Sequence, residues 1–171
     1  FLDFDHLRGT ITFPKEDNAR VRFLEPREWE RLMQALDARE DRRRAERRRY
    51  NEWLRQHNNQ APLPDLDRAP FTDHVKPIVL LALETGCRRG ELLSLQWADV
   101  DLERKILTVR AATAKTAKTR HIPLSAKVFE VLTAWRAWTG ANSGYVFTNP
   151  ETGRKLTTIQ KSWRAVVEDA R

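Results

Sequence analysis

The chain has 171 residues, a formal net charge of +7, 40% hydrophobic residues and a single cysteine. That length suffices for one domain with a real core, or for a domain and a strap, and the positive balance makes an anionic partner the first expectation without choosing among DNA, RNA and a membrane surface. A lone Cys87 excludes an intrachain disulfide and fits a reducing cytosol; no apolar run approaches a membrane span, and the first residues carry no signal-peptide pattern.

Residues 1–22 show little periodicity and read as a connecting strap, which sets a domain boundary near Phe23. A helix opens at Glu25-Pro26, with proline tolerated in the first turn, and Trp29, Leu32, Met33 and Leu36 recur at helical spacing facing a core. Its face then turns polar. Between Arg39 and Arg55 stand eight arginines against four acids, which read either as a DNA-backbone contact or as a solvated helix held by pairs such as Glu40 with Arg44. Three prolines make Asn58 to Pro70 a loop, and Phe71 to Glu84 is the next helix, with Thr72 a possible cap. Pro77 would cost that helix a hydrogen bond, so it either begins near Lys76 or kinks there.

The apolar run Ile78 to Leu83 is a buried segment, and Gly86 can take the positive φ needed for a sharp turn after it. A second helix follows at once, docked through Leu92, Leu93 and Leu95, so Arg88 and Arg89 sit at a turn between packed helices. Ile106 to Arg110 alternates as a strand does, and the chain returns at His121 to Leu124, giving a β-hairpin whose tip is Thr113 to Thr119. Ser125 caps a helix that turns Val128, Val131 or Leu132, Trp135 and Trp138 inward and stops at Gly140. Tyr145 to Phe147 reads as a short strand, Asn149 to Gly153 as a turn, and Thr158 to about Arg171 as the last helix. Trp97 and Trp163 also lie on apolar faces and join the core. The fold class is mainly α with a small antiparallel β-sheet, an α+β arrangement.

Two stretches, Thr85-Gly-Cys-Arg-Arg-Gly-Glu-Leu-Leu93 and Ala114-Lys-Thr-Ala-Lys-Thr-Arg-His-Ile-Pro-Leu124, carry a resemblance. In order and spacing they resemble the T-G-x-R-x-x-E-L and hairpin K-x-x-K-x-R motifs of the tyrosine recombinases, the phage-integrase family. The likeness implies an integrase-type catalytic domain over residues 23–171, joined by residues 1–22 to a DNA-binding domain. It also implies DNA strand breakage and rejoining through a 3′-phosphotyrosine, with no metal, nucleotide or other cofactor, since the covalent link conserves the phosphodiester energy. By the same likeness the partners are double-stranded DNA and further copies of the parent enzyme on it, with no membrane and no small-molecule substrate, in the nucleoid of a cytoplasm.

Residue by residue, Arg88 matches the catalytic arginine that contacts a non-bridging phosphate oxygen, and its plainer reading is an ion pair with Glu91. Glu91 matches the family's acidic position, read as an orienting partner. Lys115 aligns with the lysine that protonates the departing 5′-oxygen, a role suited to an ammonium whose pKa nearby positive charge can lower. Lys118 competes for it, and counting back from Ile122-Pro123-Leu124 favours Lys115. Lys118, Arg120 and Thr116 then contact DNA backbone, and Arg89 touches phosphate or faces solvent; a solvated hairpin tip is the plain alternative for the whole set. Cys87 is a small buried residue rather than a nucleophile, and His6, His57, His74 and His121 have no metal-ligand spacing. The family pattern continues with an H-x-x-R box and a tyrosine nucleophile, whereas Tyr50 and Tyr145 lie upstream in the wrong order. The expectation is therefore half an active site, in a chain that stops before that box and is inactive alone. A non-catalytic DNA-binding or architectural module is a second reading, and a basic helical RNA-binding protein a third.

Overall fold

The computed structural model describes residues 23–57, 61–110 and 118–171. Helix α1 spans Pro26–His57, 32 residues and roughly 48 Å at 1.5 Å per residue. Helix α2, Val75–Thr85, is apolar almost all round, as a helix must be when neighbours cover it on several sides. It separates two clusters: Ile78, Leu80 and Leu81 join the main core, while Val75 and Val79 meet Leu32, Leu36 and Val166 from α1 and α5. Pro77 falls in the first turn, where the missing N–H costs nothing, so the helix starts late instead of kinking. Gly86 ends it at φ 62°, the left-handed conformation that lets its N–H reach the Ala82 carbonyl at 3.0 Å.

A single helical turn, α3 (Arg89–Leu93), drops Leu92 and Leu93 into the core, and a 3₁₀ turn at Trp97–Asp99 leads to the sheet. Strands β1 (Val100–Asp101), β2 (Ile106–Val109) and β3 (Arg120–Pro123) pair antiparallel in that order. Register runs Val100 opposite Leu107, Leu107 opposite Ile122 and Val109 opposite Arg120. Alternation turns Leu107 and Val109 inward against Val128 and Leu132 of α4 (Ala126–Thr139). Ser125 Oγ accepts from Val128 N–H at 3.3 Å, and Gly140 at φ 64° closes α4. Helix α5, Gln160–Asp169, lies on α1 through Val166 and Trp163.

Four expectations need correction. Trp138 is 40% exposed, because α4 buries only the stripe of Val128, Val131, Leu132 and Trp135. Tyr145 to Phe147 is not a strand: it makes one bridge, Gln96 to Tyr145, since its partner segment bends at once into the 3₁₀ turn. Thr72 does not cap α2. Its N–H and hydroxyl donate to Glu40 at 2.7 and 3.0 Å, and the Val75 N–H is taken instead by Asp73 Oδ1 at 2.9 Å.

The arginine-rich tract is the fourth. The expected pair of Glu40 with Arg44 is present at 3.5 Å, but the helix around it is neither wet nor a free basic face: its first half is folded onto residues 63–73. Arg39 grips Asp73 with two bonds of 2.9 and 2.6 Å, Arg44 donates to the carbonyls of Leu66 and Ala69, and Arg47 to that of Pro64. Glu40, 2% exposed, is the centre: it accepts from Thr72 and from Arg44 at 3.5 Å. Burial would push Asp73 up, yet the Arg39 bonds and the Val75 N–H outweigh it and hold the carboxyl below its ordinary range. Asn51 adds a reciprocal pair with the Leu63 backbone, 2.9 Å each way.

Replacing Glu40 by alanine leaves a buried N–H and hydroxyl of Thr72 without acceptors. The loss expected in chemical denaturation is about 2–4 kcal/mol, against about 1 kcal/mol or less for Arg48→Ala, whose ion pair with Asp67 is exposed on both sides.

Candidate functional site

The site begins with a turn too short to hold itself. Five residues of α3 make few internal bonds, so its start depends on side chains for support. Glu91, third in the helix, turns back and accepts from the Arg88 N–H at 2.7 Å, the acidic half of a capping box. The same carboxylate receives the Arg88 guanidinium at 3.4 Å and, from across the sheet, both arms of Arg120 at 2.9 and 2.6 Å. One buried carboxylate thus gathers two arginines 32 positions apart in sequence, counting 88 to 120, onto one point of the surface.

The electrostatics follow. Glu91 is 4% exposed, and the Arg120 hydrogen bonds, acting against the cost of burial and aided by the Arg88 N–H, hold its carboxyl at about 2 against an ordinary 4.5. The Arg88 side chain keeps 53% exposure, and Arg120 keeps 34%. Arg88 is therefore anchored at its backbone and grazed at one nitrogen, with most of its donor fork open to solvent. A guanidinium held at its root and free at its head can take a phosphate with two hydrogen bonds.

A second clamp of the same kind lies beside it. Asp99, 8% exposed, accepts from the Gln96 N–H at 3.2 Å to close the 3₁₀ turn and pairs with the Nε of Arg110, just past β2. Arg110 and Arg120 are the last described residue before the hairpin tip and the first of β3, so both ends of the hairpin are fastened to buried carboxylates.

Of the residues singled out from sequence, Arg88, Glu91 and Arg120 are brought together. Arg120 is engaged with Glu91 as well as facing outward. Lys118 is exposed two residues before β3. Arg89 lies elsewhere, bordering an apolar cleft with Val79, Ala82, Leu83 and Trp163 between α2 and α5. Lys115 and Thr116 fall outside the described residues. Cys87 is buried, and burial pushes its thiol up, which disfavours a reactive thiolate. The pairing of Arg88 with Glu91 was legible in the sequence and is present at 3.4 Å, but Arg120 as the second partner of Glu91 and the whole Asp99 clamp were not. The signal of both clamps was present as an acid three residues after the start of each turn, Arg88 to Glu91 and Gln96 to Asp99, but the distant arginine each would bind could not be read from spacing. Among the described residues no three His, Cys, Asp or Glu side chains group as a metal site requires, and no helix is long and apolar enough to cross a membrane.

Residues 22–171 match the phage integrase family. An integrase of Shigella phage Sf6 is 37% identical over 97 residues, 54% of this chain and 25% of that protein. The integrase of Salmonella phage P22 is 24% identical across 94% of this chain and 35% of its own length. Among solved structures, the crystal structure of XerA recombinase aligns with 93% of this chain and 46% of that one at a TM-score of 0.57 and 21% identity, a likeness of fold alone. The chain spans a quarter to about a third of the length of these curated relatives.

The Glu91 clamp has an acid signature. Its folded pKa lies below its unfolded one, so its contribution is whole above about pH 4.5 and disappears as pH falls toward 2. A carboxyl moved from 4.5 to about 2 contributes on the order of 3 kcal/mol. Glu91→Gln should cost about that much at pH 7, and the gap in melting temperature between the two proteins should close progressively between pH 5 and pH 2.

Proposed function

The chain belongs to the phage integrase family, and we propose on that premise that it is part of a site-specific recombinase and supplies the phosphate-gripping half of its active site. Arg88 contacts a non-bridging oxygen of the scissile phosphate in duplex DNA. Lys115, from the hairpin tip, protonates the departing 5′-oxygen. Glu91 orients the arginine, and Lys118, Arg120, Thr116 and Arg89 contact the DNA backbone. The observation that carries this reading is the Glu91 carboxylate, which holds Arg88 with its fork exposed beside the strand that leads out of the hairpin tip.

The chemistry asks for such an arrangement. Phosphoryl exchange passes through a five-coordinate phosphorus whose equatorial oxygens gain negative charge, and a donor fixed beforehand stabilises that charge by ~3 kcal/mol without reorganising. Arg88 needs no movement of its backbone to act, since Glu91 already fixes its N–H. The net charge of +7 favours a polyanionic partner, and the family match from residue 22 onward supports a boundary near Phe23, with residues 1–22 as the strap. The attacking tyrosine belongs to sequence outside these 171 residues in this reading. Tyr50 sits exposed on α1 and Tyr145 at the Gln96 bridge, and neither bonds to Glu91, Arg88 or Arg120.

Two measurements test it. Binding to duplex DNA across a salt series should weaken with a log–log slope of about −3 to −5, and Arg88→Gln or Lys118→Gln should each reduce that slope by about 1. A slope that no substitution at Arg88, Lys115 or Lys118 alters would remove this face as the contact surface, and one that Arg89→Gln leaves unchanged would remove Arg89 from the contacts. Incubation with a suicide duplex, in which the cleaved strand cannot be rejoined, should yield no covalent adduct; an adduct at Tyr50 or Tyr145 contradicts the division of labour proposed.

A further inference from the structure

The distal half of α1 does something that neither the core nor the phosphate site requires. Beyond Arg44 the helix runs on to His57, and the chain comes back beside it, fastened by Asn51 to Leu63 and by Arg47 to Pro64. Leu54, Leu66 and Ala69 fill the seam. The outer face is unlike an ordinary wet helix. Tyr50 is 48% exposed, Trp53 45% and Leu63 42%, so three of the six large hydrophobic side chains exposed among the described residues sit on this one projection. Their rings are also ordered: Trp53 stacks on Tyr50 at 6.0 Å and on His57 at 5.3 Å, an aromatic ladder along consecutive turns.

Charge decides what such a face can meet. An open cleft of about 840 Å³ runs along it beside Trp53 and Leu63, and its charged lining is Arg48, Arg49 and Arg55 against Glu52, Asp65 and Asp67. The balance is zero, on a chain whose total is +7. A polyanion gains nothing from a neutral face that presents three carboxylates to its phosphates. Two copies of a +7 chain, by contrast, repel everywhere except where each offers both signs, and an exposed tryptophan and tyrosine ringed by arginines and acids has the composition of an interface centre.

We propose that this face is a two-fold contact between copies of the chain, in which Trp53 and Leu63 of one copy pack against the same residues of the other and arginines on each side meet carboxylates opposite. A patch of mixed sign is self-complementary under a two-fold axis, because each charge at one position can meet its opposite at another and the reverse contact follows by symmetry. Arg48 and Arg55 already have partners in Asp67 and Glu52, whereas Arg49 makes no ion pair among the described residues and is the cation available to the second copy. The contact lies on α1 and residues 61–67, apart from Arg88 and Arg120, so it stands whether or not the DNA reading does.

Sedimentation equilibrium of the chain provides the test. The 20.0 kDa species should pass toward twice that mass with a dissociation constant on the order of 10 µM. Trp53→Glu and Leu63→Glu, both at exposed positions, should each weaken association at least tenfold with the helical ellipticity unchanged, and Arg49→Glu should weaken it severalfold. A monomer throughout the range, or a dimer indifferent to Trp53→Glu and Leu63→Glu, overturns the proposal. So does quenching of tryptophan emission by a short single-stranded oligonucleotide that is lost in Trp53→Phe with no dimer formed, since the ladder would then be a base-stacking platform.

Discussion

The arrangement of the site depends on one buried carboxylate. Without Glu91 the five-residue α3 has no carboxylate at its start, Arg88 loses the bond that fixes its backbone, and Arg120 loses the acid that both its arms grip. These consequences are linked because both oxygens of the one side chain are shared among them. A carboxylate inside a protein is costly unless nearly every lone pair is used, and here four donors from two residues use them. The interaction that stabilises the turn is thus the one that aims the arginine, and neither can be loosened alone.

The same solution recurs at two other places. Glu40 on α1 and Asp99 in the 3₁₀ turn are each buried, each accepts a backbone N–H, and each receives an arginine. In every case the backbone group is one that helix geometry leaves unpaired or that a loop would otherwise bury dry. Arginine suits the second position because its long apolar stem spans between elements while its fork reaches the acid. A chain rich in arginine can in this way fasten loops to helices without a large apolar area at each junction, and the apolar residues are concentrated around α2.

Much of this was legible in the sequence. The apolar run through Ile78 to Leu81, the glycine after α2, the Ser125 and Gly140 caps of α4 and the alternating strand at Ile106 to Val109 are local signals, and local structure followed them. The motif around Arg88 was legible for the same reason. What could not be read were pairings set by tertiary structure: that Arg39 would meet Asp73, that Arg120 would return to Glu91, and that Trp138 would face water while Trp135 does not. Periodicity gives the face of a helix but not its width, and α4 buries a narrower stripe than its tryptophans suggested. Charge runs are still less informative, since a solvated arginine and a buried one are the same letter.

The fastening of Arg110 to Asp99 and of Arg120 to Glu91 also bears on how this fold can change over evolutionary time. With both ends held at fixed points, a change in the length of chain between them costs little entropy, about 0.6 kcal/mol for a doubling. Folding therefore places its demand on the two pins, Arg110 with Asp99 and Arg120 with Glu91, and asks little of what joins them. A lysine that descendants keep between positions 110 and 120 would on that account be kept for chemistry, whereas the four pinning residues would be kept for folding.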